Sequence, residues 1–267
     1  MKKQFCGLLT RATFALAVIS LLSLSTLAQA PKKLLLVTVT KGFRHSSIPT
    51  AEKVLGELAA KSGAFTIDNV RQSEGDAEMS QKMTMAQLAK YDGVIFANTT
   101  GILPMPDKAG FLDWIKSGKA FIGMHSASDT FHAESGVDPY IQMLGGEFRT
   151  HHSQAGIECL VQDKNHPATK PLGESYCIER EEVYLLKNYD SANVHELLVL
   201  DKHPNDKSVF GRFPIAWSKK YGQGNVFYTS LGHREDVWEN PTYQKHLLGG
   251  IKWALGLEEG DSKPQMR

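Results

Sequence analysis

The stretch Ala120-Phe121-Ile122-Gly123-Met124-His125-Ser126-Ala127-Ser128-Asp129 changes from apolar to polar at a single histidine. Its apolar half is typical of a strand buried on both faces. Gly123 before His125, and Ser126 and Ala127 after it, are the small residues that a tight strand-to-helix turn requires. Such an elbow would lift the imidazole to the carboxyl edge of a parallel sheet, where open α/β folds bind ligands. The alternative is a strand–helix junction that happens to carry a histidine.

Strands and helices alternate up to this elbow. The pattern predicts strand 33–40, helix 49–62, strand 65–70, helix 83–89, strand 93–97, helix 106–116 and the strand that ends at His125. Such alternation is the signature of a doubly wound, mainly parallel sheet in the α/β class.

The second half of the chain has shorter strand candidates with more alternation. They lie at 156–161, 176–180, 183–186 and 197–200, followed by a hairpin over 213–231. These segments predict an antiparallel extension at one edge of the sheet. A closing helix is predicted at 242–255, although its internal Gly249-Gly250 pair weakens it.

Residues 1–30 are predicted to be a signal peptide and not part of the fold. The stretch opens with basic residues, continues with an apolar run at 14–27, and ends in Ala28-Gln29-Ala30, a pattern that signal peptidase cuts. The apolar run is shorter than the ~20 residues of a membrane span, which disfavours an anchor. The mature chain from Pro31 is therefore expected to be exported, to the periplasm or the medium, without membrane association.

One domain is predicted at 31–258, with a disordered polar tail at 259–267. The formal net charge of the 267-residue chain is +1, which argues against a nucleic-acid partner. Cys159 and Cys177 could pair in an oxidising compartment, or they could be two thiols on neighbouring strands.

Histidines recur in loops that follow predicted strands. Because the carboxyl ends of parallel strands meet at one edge of a sheet, these loops are expected to aim their side chains at one place. The loop residues are Arg44 and His45, then His125, Asp129 and His132, then His233 and Arg234. On the helix predicted after the elbow, spacings of four and three residues put His125, Asp129 and His132 on one face.

Four further residues could join this edge of the sheet. His151 and His152 lie in a loop introduced by glycines, whereas Glu182 and Tyr184 alternate on a predicted strand and share a face. Imidazole transfers protons near neutral pH and also binds metals. A carboxylate beside an imidazole raises its pKa or orients its ring.

Several catalytic motifs are absent from the sequence. There is no glycine-rich phosphate loop, no dinucleotide fingerprint and no His-Glu-x-x-His sequence. A Gly-x-Ser-x-Gly sequence is also missing, which makes a serine hydrolase improbable.

An ordered set of segments resembles the trehalose-utilisation (ThuA-like) family, whose fold is similar to that of the class I glutamine amidotransferases. The segments are Lys41-Gly42-Phe43-Arg44-His45, Gly123-Met124-His125-Ser126-Ala127, Gly145-Gly146-Glu147-Phe148, Pro214-Ile215-Ala216-Trp217 and the stretch from Gly222 to His233. Together they span nearly the whole predicted mature chain. The resemblance therefore implies an amidotransferase-like sheet.

The amidotransferase comparison implies a retained pocket without the original chemistry. The nucleophilic cysteine of those enzymes stands on an elbow at the position matched here by His125. Their catalytic histidine is matched by His233, and the glutamate that follows it is matched loosely by Glu235. An imidazole cannot form the thioester that glutamine hydrolysis needs, so glutaminase activity is improbable.

The family resemblance implies a function in sugar metabolism, often with oxidised (keto) sugars. Aromatic faces that could stack on a sugar ring are those of Phe131, Tyr184, Trp217 and Trp238, which could equally belong to the core. The main hypothesis is an exported lyase, hydrolase or isomerase that acts on a glycoside or keto-sugar. The alternative is a carbohydrate-binding domain that kept the pocket and lost the chemistry.

Specific roles follow from this hypothesis. The predicted catalytic residues are His45, His125, Glu182 and His233. The predicted substrate-binding residues are Arg44, Asp129, Phe131, His151, His152, Tyr184, Trp217 and Arg234. If a divalent metal (Zn, Mn or Ni) binds, its predicted ligands are His125, His151, His152 and Glu182. The predicted partner is a small carbohydrate, and the oligomeric state stays open.

Overall fold

The elbow stands at the end of a central strand in a large mixed sheet. The computed structural model describes residues 30–72, 75–133 and 135–265. Its strands are β1 (Lys32–Val37), β2 (Phe65–Val70), β3 (Gly93–Ala97), β4 (Ala120–Met124), β5 (Glu147–His151), β6 (Ala155–Val161), β7 (Ser175–Glu181), β8 (Tyr184–Lys187), β9 (His195–Lys202), β10 (Phe210–Tyr221) and β11 (Gly224–Thr229). Its α-helices are α1 (Ile48–Ser62), α2 (Gly75–Lys82), α3 (Met85–Leu88), α4 (Lys108–Lys116), α5 (Pro139–Leu144), α6 (Glu235–Glu239) and α7 (Pro241–Ala254). Short 3₁₀ helices cover His125–Asp129 and Lys170–Leu172.

Among the described residues, nine strands form one sheet in the order β2-β1-β3-β4-β11-β10-β9-β6-β7. The first five strands in this order are parallel. The other four continue the sheet through antiparallel pairs. The predicted fold class, a doubly wound mainly parallel sheet with an antiparallel extension, is confirmed.

Helices cover both faces of the parallel half, so alternate residues of a central strand enter different cores. Leu34 and Leu36 of β1 belong to the core that α1 and α7 complete. Leu35 and Val37 belong to the core on the opposite face, which α4 and α5 complete. Each fully buried aliphatic side chain of this kind contributes roughly 1.5–3 kcal/mol. Burial on both faces explains why these strands are continuous apolar runs.

Two predicted elements differ from the structure. The helix predicted at 83–89 is the shorter α3, which begins after Thr84 because the side chain of Thr84 accepts a hydrogen bond from the Gln87 N–H, and α2 before it was not predicted. The strand predicted at 183–186 is β8, but it does not extend the large sheet. It pairs with β5 in a separate antiparallel ribbon, so His151 ends a strand and is not in a loop.

The two cysteines lie on neighbouring strands of the extension and are both free thiols. The β6–β7 register sets Cys159 opposite Tyr176, and Cys177 opposite Glu158. Since successive side chains of a strand point to opposite faces, Cys159 is buried and Cys177 is exposed. The structure therefore has the second alternative, in which the two thiols lie on neighbouring strands and do not form a disulfide.

Residues from Pro31 onward form one compact unit. The predicted signal peptide falls on residues 1–30, of which 1–29 lie outside the described part of the chain. No helix in the described ranges combines the length and apolar character needed to cross a membrane. Where the sequence predicts a disordered tail, residues 259–265 have no helix or strand but contact the extension. For example, His195 Nδ1 donates to the Lys263 carbonyl oxygen at 2.8 Å.

Candidate functional site

The elbow has the strained backbone that its sequence predicts. β4 ends at Met124, and His125 follows with φ of +49°, in the left-handed region that non-glycine residues rarely adopt. A Cβ on Gly123 would approach side-chain atoms of Leu144 and Tyr228 to 3.0 Å, so a larger residue there would push the elbow away from its neighbours. The elbow thus holds the His125 imidazole fully buried at the carboxyl edge of the sheet.

Three other segments bring their side chains to His125. His45 follows β1, His233 follows β11, and Glu182 stands between β7 and β8. His45 Nε2 lies 3.1 Å from His125 Nε2. Glu182 Oε2 lies 3.6 Å from His125 Nε2 and 3.2 Å from His233 Nδ1. We call these four residues, all predicted as catalytic, the histidine cluster.

The hydrogen bonds of His125 fix the state of its ring. Its Nδ1 lies 2.8 Å from the Ser230 carbonyl oxygen, which can only accept, so Nδ1 carries the proton. In the neutral ring Nε2 then has a free lone pair, and the Tyr184 hydroxyl donates to it at 2.8 Å. A backbone partner on one ring nitrogen is the arrangement that orients metal-binding histidines in proteins.

The histidine cluster could hold a metal ion. One ligand atom from each of the four residues lies within 4.8 Å of all the others. Zn–N bonds of about 2.0–2.1 Å in a tetrahedron would separate ligand atoms by roughly 3.3 Å, near the 3.1–3.6 Å observed for three of the six pairs of ligand atoms. His233 Nδ1 is moreover buried without an aligned hydrogen-bond partner. A cation among these atoms would satisfy that nitrogen.

The pKa values of His45 and Glu182 favour the forms that bind metals, whereas the pKa of His233 favours its protonated ring. Burial, together with the neighbouring His125 and His233, lowers the pKa of His45 to about 3, so its imidazole stays neutral. Burial alone would raise the pKa of Glu182, but hydrogen bonds and charge from His125 and His233 hold it well below its usual range. Burial opposes the charged form of His233 as well, yet Glu182 raises its pKa on balance. Neutral imidazole and ionised carboxylate are the forms that bind metals.

Glu181 supports the cluster from the side away from the pocket. Its buried carboxylate accepts hydrogen bonds from the backbone N–H groups of Gly232, His233 and Glu182, at 2.8–3.2 Å. Burial raises the pKa of this carboxyl group. One side chain therefore ties together the segments that carry Glu182 and His233. This supporting role of Glu181 was not predicted from the sequence, because it depends on contacts between distant segments.

Three members of the histidine cluster, His45, Glu182 and His233, line a pocket of about 210 Å³, whereas His125 is fully buried and is not among the lining residues. The lining residues are Phe43, His45, Thr100, Asp129, Phe148, His151, Glu182, Tyr184 and His233. His151 Nδ1 lies 3.0 Å from Glu182 Oε1, so a partly exposed imidazole meets the inner carboxylate here. A larger cleft of about 610 Å³ lies over β6, β7 and β9, but none of the residues described as lining it is a histidine.

Five predicted substrate-binding residues lie outside the pocket lining. The Trp217 indole is buried in the core and donates to the Leu144 carbonyl oxygen at 2.8 Å. The Phe131 ring is also in the core, against Tyr140. The remaining three are directed elsewhere: Arg44 donates to the Thr38 carbonyl oxygen, His152 packs on His203, and Arg234 pairs with Asp236. Trp238 is in the core as well.

Other predicted relations need correction. The 3₁₀ helix ends at Asp129, so His132 does not share a helical face with His125; its ring contacts Asp129 and Glu147 instead. Glu235 accepts a hydrogen bond from Ser46 at the start of α6 and does not join the cluster. Of the residues predicted as ligands if a metal binds, His125 and Glu182 belong to the cluster, whereas His151 contacts Glu182 from the pocket side and His152 packs on His203.

Three lining residues were missed by the sequence analysis. Phe43 and Thr100 stand in loops that follow β1 and β3, so the rule that such loops meet at one edge could have found them. Phe148 lies on β5, and its place depends on the pairing of β5 with β8.

Comparisons with known proteins agree with this fold. The ThuA family model, described as trehalose utilisation, matches residues 33–254. A ThuA-like protein from Parabacteroides merdae is 21% identical, with a TM-score of 0.69 over 84% of this chain and 90% of that chain. A ThuA-like protein from Bacteroides uniformis is also 21% identical, with a TM-score of 0.65 over 85% of this chain and 93% of that chain.

A more distant structural similarity is to Agd3, a carbohydrate deacetylase. It is 12% identical, with a TM-score of 0.54 over 85% of this chain and 32% of that chain. Among curated proteins, none matches the sequence significantly.

Proposed function

Since the chain belongs to the ThuA family, described as trehalose utilisation, we propose that it is an enzyme that acts on a glycoside or a keto-sugar. The observation that carries this proposal is the convergence of three imidazoles and one carboxylate beside a small pocket that His45, Glu182 and His233 line. A binding domain has no evident need for so many titratable side chains in contact with one another and largely buried. Perturbed titratable groups in a pocket are instead typical of active sites.

The proposal includes a divalent metal ion, with His45, His125, Glu182 and His233 as its ligands. The nitrogen-rich donor set suits zinc or nickel, and the carboxylate also admits manganese. Such an ion supplies Lewis-acid polarisation of a carbonyl or hydroxyl oxygen.

The chain's own residues bind the sugar and move protons. His151 lies at the solvent side of Glu182 and lines the pocket, so it can exchange a proton between substrate and water. The Tyr184 hydroxyl, which donates to His125, can donate to a sugar oxygen once that lone pair is taken. Asp129 offers a carboxylate to sugar hydroxyls and is held from behind by His132.

Metal content tests the first part of this proposal. Protein stripped with a chelator and then dialysed against zinc, manganese or nickel should retain one equivalent of at least one metal and melt at a higher temperature. His125→Ala and His233→Ala should each weaken binding by more than about a hundredfold, because loss of a group that merely supports a ligand already costs 10–100-fold. His203→Ala, a histidine in a turn outside the cluster, is the matched control and should bind like the parent.

Turnover tests the second part. Hydrolysis or elimination of a 3-keto-glucoside should occur with the metal-loaded protein and disappear in both cluster variants, but not in His203→Ala. Sugar binding without turnover for all three metals would contradict the proposal and support a carbohydrate-binding domain.

We also propose that the protein is exported. The observation behind this is the basic, apolar and small-residue order of residues 1–30. Expression of the full chain in a Gram-negative host should yield a mature protein that begins at Pro31 in the periplasm or the medium. An intact N-terminus in the cytosolic fraction would contradict it.

A further inference from the structure

An exposed aromatic ring stands at the mouth of the pocket. Phe43 is 67% exposed and lines the pocket. Its ring lies 4.8 Å from that of His45 and nearly perpendicular to it. Isolated exposed apolar side chains are common on proteins and need no explanation by themselves. The position of Phe43 beside the histidine cluster is what makes it informative.

The backbone that carries Phe43 is held in place by hydrogen bonds to Thr100, in the loop that follows β3. The Lys41 N–H donates to the Thr100 carbonyl oxygen at 2.8 Å, and the Gly42 N–H donates to Thr100 Oγ1 at 3.1 Å. Thr100 Oγ1 in turn donates to the Phe43 carbonyl oxygen at 2.9 Å. An apolar ring on a backbone held in this way loses little conformational entropy when a ligand covers it.

A second aromatic ring lines the pocket from the ribbon. Phe148 of β5 lies 4.5 Å from the Tyr184 ring. The ribbon is anchored by the nearly buried carboxylate of Glu147, which pairs with Lys187, contacts His132 and accepts a hydrogen bond from Asn188. Phe148 is thus a half-buried lining residue on an anchored ribbon, whereas Phe43 is open to solvent.

The size of the pocket limits what fits inside it. Its volume of about 210 Å³ is below the roughly 300–1,000 Å³ of pockets that enclose drug-sized ligands. A pocket of this size suits one sugar ring. A glycoside with one ring at the histidine cluster would then extend its second ring through the mouth, where Phe43 lies.

We propose that Phe43 forms a second sugar subsite, so that the substrate is a glycoside with a second ring on Phe43 and not a free monosaccharide. This inference rests on the proposed function. An aromatic face offers the apolar side of a sugar ring a large contact area, and its rigid placement favours binding.

The test compares two α-glucosides that differ by one ring, trehalose and methyl α-D-glucopyranoside. Their dissociation constants are measured by NMR titration of the metal-loaded protein. Phe43→Ala should weaken trehalose binding about three- to tenfold, the range expected for an aromatic contact, and leave methyl glucoside unchanged. Phe43→Trp should restore the affinity for trehalose. The control is Phe210→Ala, which removes a similarly exposed ring (73%) at the start of β10, outside the pocket lining, and should change neither constant.

The outcomes separate this inference from the proposed function. Equal effects of Phe43→Ala on both sugars, or no effect on trehalose, would overturn the second subsite while leaving a sugar pocket in place. Failure of the parent protein to bind trehalose would overturn the second subsite, whereas the proposed function would still be decided by turnover of the 3-keto-glucoside. Unchanged metal content in Phe43→Ala shows that the variant is folded.

Discussion

At the scale of single residues, Tyr184 would compete with the proposed metal ion for the same atom. In the structure the Tyr184 hydroxyl donates to His125 Nε2, and that nitrogen has one lone pair because Nδ1 holds the proton. A cation bound there must displace the hydroxyl. The displaced hydroxyl then points into the pocket that Tyr184 lines, where a substrate oxygen can receive its hydrogen bond.

This competition predicts the effect of Tyr184→Phe on metal affinity. The variant has no hydrogen bond to break when the metal binds, so its affinity should rise by about two- to tenfold, the worth of one net hydrogen bond. Turnover should fall, since the donor to the substrate is lost. Isothermal titration with zinc measures the affinity.

Tyr91→Phe is the control for this measurement, because it removes a hydroxyl that bonds to Asp68 outside the site. It should leave the affinity for zinc as in the parent. Weaker zinc binding by Tyr184→Phe would mean that the hydroxyl supports the metal, in contradiction to the competition.

The sequence predicts the histidine cluster well but the aromatic contacts poorly. His45, His125 and His233 follow parallel strands, so topology alone brings them together. Trp217 lies on β10 with its indole in the core, and only the register of β10 with β11 determines that side. His152 follows the end of β5 and faces outward, again through a pairing that is not local. The type of a residue indicates which chemistry it could perform, but the pairing of the strands determines where its side chain points.

At the scale of elements, the glycines of α7 are a packing feature. From the sequence, Gly249-Gly250 is expected to weaken the helix, since each glycine lowers helix stability by about 1 kcal/mol relative to alanine. In the structure a Cβ on Gly249 would overlap the Pro167 carbonyl group, and one on Gly250 would overlap the Phe227 ring. The pair thus lets α7 approach the sheet and the loop at Pro167 closely.

A matched pair of substitutions separates these two effects of glycine. Gly250→Ala should destabilise the protein by about 1–3 kcal/mol, because overpacking outweighs the gain in helix propensity. Gly56→Ala in α1, where no atom lies within 4 Å of the added Cβ, should stabilise it by about 0.5–1 kcal/mol. Urea unfolding of both variants measures the free energies. A stabilising Gly250→Ala would show that α7 is free to shift.

Local patterns also explain which elements are predictable. The bounds of β2 and β3 agree with prediction, since apolar runs between turns define them. The ribbon of β5 and β8 was not predicted, because its strands are joined by contacts between separate segments. Phe148 and Tyr184 lie on that ribbon, so local sequence patterns could not predict this part of the pocket wall.

At the scale of the whole molecule, burial of histidines links stability to pH. His246 of α7 is fully buried; its Nδ1 donates to the Ala168 carbonyl oxygen at 2.8 Å, and Nε2 has no partner. Burial lowers the pKa of His246 to about 4, and burial likewise lowers the pKa of His166 to about 3. Both rings must therefore stay neutral in the folded state well below the pH at which they charge in the unfolded chain.

The sign of the effect follows from proton uptake. Below about pH 6.5 the unfolded chain binds a proton at His246 that the folded chain does not bind until about pH 4, so acid favours unfolding across this window. The contribution of His246 to the free energy of unfolding should be flat above about pH 7, and it should fall by up to about 3 kcal/mol as the pH falls to 4. His246→Asn keeps a donor toward Ala168 and removes the titration. Its loss of stability between pH 7 and pH 4.5, measured by urea unfolding, should be smaller than that of the parent by about 2–3 kcal/mol, even if its stability at pH 7 is lower.

His152→Asn, which replaces an exposed imidazole, is the control and should show the parental difference. If His246→Asn shows the parental difference too, the acid lability of this fold arises from groups other than the buried histidine of α7.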